Sequence, residues 1–241
     1  MHPNQQADDW YDQSMETGIS LLETGNYAVD PHLLSQYDNR YGISLLIRPA
    51  PAINLNIQDF LDALKKIDPN QYYYPSSDIH VTVLTIISCL PGFQLNQIQA
   101  DDYINLVANS LYDCSPFQLE FKGVTLSSGA VLVRGHPVDD QLNHIRENIR
   151  TAFKASRLLH SIDERYTIIT AHSSVVRYQY PIENIPAWIY KIREFQNYDF
   201  GMQTVDTLEL VFNDWFMRKD KVRILKEIQL HEEGKTEPFT R

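Results

Sequence analysis

From Tyr41 onward the chain alternates strand-like and helix-like periodicity, yet several neighbouring strands are separated by only a few turn residues. Adjacent strands joined by tight turns run antiparallel, so a purely parallel, doubly wound sheet is excluded and an α+β fold is expected. Tyr41 to Ile47 reads as a strand. Ile57, Phe60, Leu61, Leu64 and Ile67 mark a helix face that Pro69 and Asn70 end, and Ile79 to Ser88 is a β-branched strand. A helix with Ile104, Val107, Ala108 and Leu111 follows. Phe117, Leu119 and Phe121 then alternate with polar residues ahead of Ser127-Ser128-Gly129 and the strand Ala130 to Arg134, which is a hairpin signature. A helix capped by Asp139 or Asp140 carries Leu142, Ile145, Ile149, Ala152 and Phe153. Next come a strand-like stretch from Tyr166 to Tyr178, a helix with Ile185, Trp188, Ile189 and Ile192, and two last strands at Leu208 to Phe212 and near Val222 to Leu230. The order contains an internal echo, in which a helix leads to a strand around His80 and a later helix leads to one around His172. Two similar lobes packed face to face fit this pattern.

Residues 1–38 form an N-terminal helical extension, with Tyr11, Met15, Ile19 and Leu22 at helical spacing, and residues 39–241 form the two-lobed domain. The extension is expected to enlarge the core rather than cover a cleft, and Trp10, Trp188 and Trp215 are read as packing residues. Residues 231–241 are expected to fray. With 21 Lys and Arg against 31 Asp and Glu, the net charge of −10 disfavours a long nucleic-acid-binding surface, which needs clustered cations. A small anion held in one pocket is compatible with it. Cys89 and Cys114 lack metal-ligand spacing and are read as thiols. The start, MHPNQQADDW, has neither a basic n-region nor an apolar stretch, and no window approaches a membrane span; a cytoplasmic monomer without membrane contact is expected.

Of the eight histidines, His2, His32, His144, His160 and His231 lie in polar surroundings and read as surface. His136, in the turn Arg134-Gly135-His136-Pro137, is a minor candidate. His80 and His172 differ, because each lies in a β-branched run and is followed two residues later by a hydroxyl: Asp78-Ile79-His80-Val81-Thr82-Val83 and Thr170-Ala171-His172-Ser173-Ser174-Val175. Residues i and i+2 of a strand share a face about 6.5–7 Å apart, so each strand presents an imidazole beside a hydroxyl.

That pairing suits displacement at a phosphodiester. One group must take a proton from the entering nucleophile, and another, on the opposite side, must give one to the departing oxygen. Imidazole, with an ordinary pKa of about 6.5, serves either task near pH 7. Thr82 and Ser174 are placed to hydrogen-bond the non-bridging oxygens, where charge develops. No metal is required, and the two histidines lack carboxylate or cysteine partners at ligand spacing.

The pair of H-x-[ST]-x motifs, about 90 residues apart and each in a strand, resembles the two-histidine phosphoesterase superfamily, which includes RNA 2′,3′-cyclic phosphodiesterases and 2′-5′ RNA ligase-like proteins. The resemblance spans roughly Tyr41 to Leu230 and includes Val131-Leu132-Val133-Arg134-Gly135 before an Arg-bearing helix and Arg177 after the second motif. It implies a bilobal α+β fold with two antiparallel sheets and outer helices around a central cleft, and catalytic roles for His80 and His172 with phosphate contacts from Thr82 and Ser174. It implies no cofactor. The implied activity is metal-independent hydrolysis of a 2′,3′-cyclic or 2′-5′ phosphodiester on a nucleotide or short RNA end. Two alternatives are a non-catalytic nucleotide or RNA-end binding module and an ATP-independent 2′-5′ RNA ligase. The second motif departs from the pattern in having Ser173 at an aliphatic position and serine rather than threonine at 174. Tyr74 and Tyr178 are candidate base-stacking residues. Arg177 lies at an odd offset from His172 and in an unbulged strand would face away from the cleft.

Overall fold

The computed structural model describes residues 5–33, 35 and 37–231; His2 and residues 232–241, where fraying is expected, lie outside them. The chain enters through α1 (Gln5–Glu23), then β1 (Arg40–Ile47), α2 (Pro51–Lys65), the two-residue β2 (Tyr72–Tyr73), β3 (Val81–Pro91) and α3 (Ala100–Ser110). The second half runs β4 (Phe117–Leu126), β5 (Ala130–Pro137), α4 (Gln141–Ala155), β6 (Ser173–Arg177), α5 (Ile185–Glu194), β7 (Asp199–Val205), β8 (Thr207–Asp214) and β9 (Arg223–Gln229). The strands form two antiparallel sheets, β3-β1-β8-β9 and β2-β6-β5-β4-β7.

The helices follow from their periodic apolar faces. Pro51 opens α2, where a missing backbone N–H costs nothing, and Ile53, Ile57, Phe60, Leu61 and Leu64 are buried along it. On α4, Leu142, Ile145, Ile149 and Phe153 are buried, and with them Arg146. Helices α1 and α2 pack on the five-stranded sheet with α5 beside them, while α3 and α4 cover the four-stranded one. The chain thus crosses between the lobes repeatedly: α4 follows β5 of one sheet and packs on β3 of the other. These crossings bring the loops before β3 and β6 together in the middle of the molecule.

Three expectations change. The strand expected from Tyr166 to Tyr178 is confined to Ser173–Arg177. The stretch before it lacks a partner strand, and arginines of α4 bind it instead: Arg150 Nε donates to Asp163 at 2.6 Å, and Arg146 Nη2 donates to the Thr170 carbonyl at 2.6 Å. Strands β2 and β7 are additions, the first too short to leave a period and the second an edge strand whose polar residues hide it. His160 is half-buried against Phe153 rather than solvated. Cys89 and Cys114 are free thiols. No described helix is long and apolar enough to cross a membrane.

Candidate active site

Both motif strands carry a β-bulge at the same place. In the β1–β3 ladder Leu46 pairs with Thr82 and Leu45 with Leu84, so Val83 is extra. In the β5–β6 ladder Leu132 pairs with Ser174 and Val131 with Val176, so Val175 is extra. An inserted residue resets the alternation of side chains beyond it. Counting from each histidine, the positions on the histidine's face of its strand are therefore His80, Thr82 and Thr85 in one and His172, Ser174 and Arg177 in the other. All six are half-buried, and the residues between them, Val81, Val83, Leu84, Ser173, Val175 and Val176, are buried. Each bulge frees a carbonyl, and each is bonded: Val83 O accepts from Arg146 Nε at 2.9 Å, and Val175 O accepts from the Tyr74 backbone N–H at 3.0 Å.

Both imidazoles are held through Nδ1 by the residue two positions earlier. His80 Nδ1 lies 2.7 Å from the Asp78 carbonyl, and His172 Nδ1 lies 2.8 Å from Thr170 Oγ1. Among the described residues neither Nε2 has a hydrogen-bond partner, and neither do the side-chain hydroxyls of Thr82 and Ser174, so four polar groups are available to a ligand. Burial pulls both rings down from 6.5 to about 4. Neighbouring cations add to that, Arg48, His172 and Arg177 for His80, and Arg146 and Arg177 for His172; the Asp78 hydrogen bond opposes it at His80. Both histidines are therefore neutral at pH 7. An arriving phosphate offsets the cations and favours a proton on one ring.

Arg177 is the cation the two rings share. The bulge turns it to the face that carries His172 and Ser174, reversing the orientation an unbulged strand gives. Its Nε donates to Tyr74 Oη at 3.0 Å, and its guanidinium lies 5.8 Å from the Phe216 ring centre. Arg40 and Arg218 flank the same ring at 5.7 and 4.9 Å, each paired with a carboxylate, Asp38 and Asp214 respectively. Arg177 forms no salt bridge among the described residues, although the Asp30 carboxylate is near enough to favour its charge. Arg146 is 1% exposed and likewise forms no salt bridge among those residues. It ties the bulge after His80 to the residue that holds His172. Its position on an otherwise apolar helix face leaves no signal in the sequence, where a polar residue in such a place reads as surface.

The remaining candidates fall elsewhere. Tyr74 is buried and holds Arg177 in place. Tyr178 is buried behind the sheet between Tyr27 and Trp188, which leaves no ring face for a base. His136 sits under α1, with Nδ1 2.9 Å from Asp8 and Nε2 3.1 Å from the Lys122 carbonyl. That helix is bolted on through Tyr11, whose hydroxyl donates to Gly135 O at 3.1 Å and accepts from the Ala171 N–H at 3.0 Å, one residue from His172. The next residue back, Trp10, stands beside His172 itself, with ring centres 5.9 Å apart and planes 10° from parallel. Gly135 is required here, since a Cβ on it would lie 2.0 Å from the Ala171 carbonyl oxygen. No group of three or more His, Cys, Asp or Glu arranged to hold a metal ion occurs among the described residues.

No family model matches the sequence, and no curated protein matches it. Solved structures do match. TT0787 of Thermus thermophilus superposes with a TM-score of 0.57 at 14% identity, over 80% of this chain and 99% of its own. E. coli LigT complexed with 3′-AMP gives 0.51 at 14%, over 80% and 99%. A conserved protein of unknown function from Agrobacterium tumefaciens, ATU0111, gives 0.52 at 12%, over 86% and 98%. Two antiparallel sheets, helices on their outer faces and a histidine at the head of one strand in each sheet thus assemble into the α+β fold shared by TT0787 and LigT.

Proposed function

We propose that the protein is a metal-independent phosphodiesterase of the two-histidine class, opening a 2′,3′-cyclic phosphate or a related 2′-5′ diester on a nucleotide or short RNA end. The observation that supports this reading is the matched pair of bulged strands, each with a histidine, a hydroxyl and a third polar residue on one face, in contact with each other and with the two rings near enough to interact. Two available Nε2 atoms and two available hydroxyls suit in-line attack at phosphorus, and Arg177 supplies charge to hold the phosphate.

The hydrogen bonds at Nδ1 support one division of roles. A carbonyl can only accept, so His80 carries its proton on Nδ1 when neutral and presents a bare Nε2, which makes it the base that takes a proton from water. Thr170 Oγ1 can donate or accept, so once the bound phosphate favours the charged ring His172 carries protons on both nitrogens, Nδ1–H donating to Thr170 Oγ1 and Nε2–H left for the ester. It is the acid that gives this proton to the leaving ribose oxygen as the P–O bond breaks. Water adds to phosphorus, the ring opens, and a monoester results.

The test incubates the purified protein with the four nucleoside 2′,3′-cyclic phosphates, with and without EDTA, and resolves 2′- from 3′-monophosphates. Turnover that survives EDTA and falls on the order of 10²–10⁴-fold in His80→Ala and His172→Ala is expected. Undiminished activity in either variant refutes the mechanism. Tight nucleotide binding without product over hours would instead identify a binding module.

A further inference from the structure

We propose that the N-terminal helix belongs to the active site and that Trp10 forms its stacking surface, holding the nucleobase of the ester whose phosphate lies between the histidines. This rests on the phosphodiesterase reading above and adds to it the residue that selects for a base.

Trp10 lies near the imidazole with its ring almost parallel. With the planes 10° apart, a centre-to-centre distance of 5.9 Å exceeds the usual stacking separation of about 3.5–4 Å. His172 therefore does not cover the indole face as a close stack would. The side chain is 37% exposed, although its helix is firmly fixed. Tyr11 is buried and bonded to Gly135 and Ala171. Asp12 pairs with Arg134 at 2.8 Å. Thr125 Oγ1 donates to the Tyr11 carbonyl at 2.7 Å, and Ser14 Oγ donates to Leu126 O at 2.6 Å. The indole is thus presented on a rigid support, and the ordering cost of a flexible aromatic is avoided. Tyr74 and Tyr178, the tyrosines that the sequence offered for stacking, are both consumed in packing. Every base has a π-face, so this surface admits purines and pyrimidines alike and favours esters that carry a base over those that do not.

Calorimetric titration of wild type, Trp10→Ala, Trp10→Leu and Trp10→Phe with 3′-AMP and with inorganic phosphate tests the assignment. The leucine variant keeps apolar packing in case the alanine variant folds poorly, and far-UV circular dichroism checks each. Trp10→Ala and Trp10→Leu are expected to weaken 3′-AMP binding on the order of 10-fold or more, the range of base–aromatic stacking, while phosphate binding is unchanged and Trp10→Phe stays close to wild type. Equal 3′-AMP affinity in wild type and Trp10→Leu overturns the proposal. So does a parallel loss of phosphate affinity, which would mark Trp10 as a support for His172 only. Failure of the phosphodiesterase reading is a separate result: no cyclic phosphate is hydrolysed, while the 3′-AMP comparison stands by itself.

Discussion

Replacing Arg146 by methionine keeps most of the length of the side chain and removes a group that bonds the first motif strand and the segment leading into the second. Two hydrogen bonds from a charged donor are lost, at 2.9 Å to Val83 O and 2.6 Å to Thr170 O. Such bonds contribute about 1.5–3 kcal/mol each, so the loss is about 3–6 kcal/mol. Against it stands the cost of the buried charge. Desolvation pulls the guanidinium down from 12.5 to about 10, which at ~1.4 kcal/mol per unit is about 3 kcal/mol relieved by the substitution. The net destabilisation is therefore about 0–3 kcal/mol, a fall in Tm of up to about 10 °C for a domain of this size, and the variant folds. Its activity should suffer more than its stability, because the bulge carbonyl and the Thr170 loop lose the group that holds His80 and His172 in mutual register. Removing a cation beside His172 also favours the protonated ring, so its pKa rises above about 4. Thermal denaturation, kcat and KM on a cyclic phosphate, and NMR titration of the His172 ring measure the three effects. A folded variant with wild-type kcat, or a His172 titration that moves to lower pH, would refute the reasoning.

Gly135→Ala should push Ala171 and His172 out of line, since its Cβ has no room beside the Ala171 carbonyl; kcat is expected to fall at least 10-fold, and a wild-type kcat with unshifted His172 resonances speaks against the contact. Stability should depend on the two histidines in acid. Their folded pKa values of about 4 lie below the unfolded value of 6.5, so their contribution is fully present above pH 6.5 and is lost as the pH falls toward 4. One such ring in isolation contributes ~3 kcal/mol, reduced to about 1–2 kcal/mol each because both side chains are only half-buried. Denaturant titrations at pH 7 and pH 4 should show a smaller loss in His80→Gln/His172→Gln than in wild type; an equal loss in both proteins contradicts the assignment.

Alternating β-branched runs, helical apolar faces and the Ser127-Ser128-Gly129 turn were enough to specify an antiparallel α+β chain, because each is a pattern within a single segment. The repeated histidine and hydroxyl in two such runs singled out His80, Thr82, His172 and Ser174 as one group in the same way. Which side chains accompany them was settled by contacts between segments. A bulge is set by the register of the partner strand, here Leu45–Leu46 and Val131–Leu132, and leaves no period in its own strand, so the side on which Arg177 emerges could not be read from its offset. Arg146 and Trp10 owe their places to helix docking across the sheets, where contacts join residues far apart in the chain. Strand β7, with Asp199, Gly201 and Gln203, is held as an edge by its pairing with β4 rather than by its own composition. Local pattern fixes what a segment can become, because propensity acts over a few residues. Only packing between distant segments decides what stands opposite it.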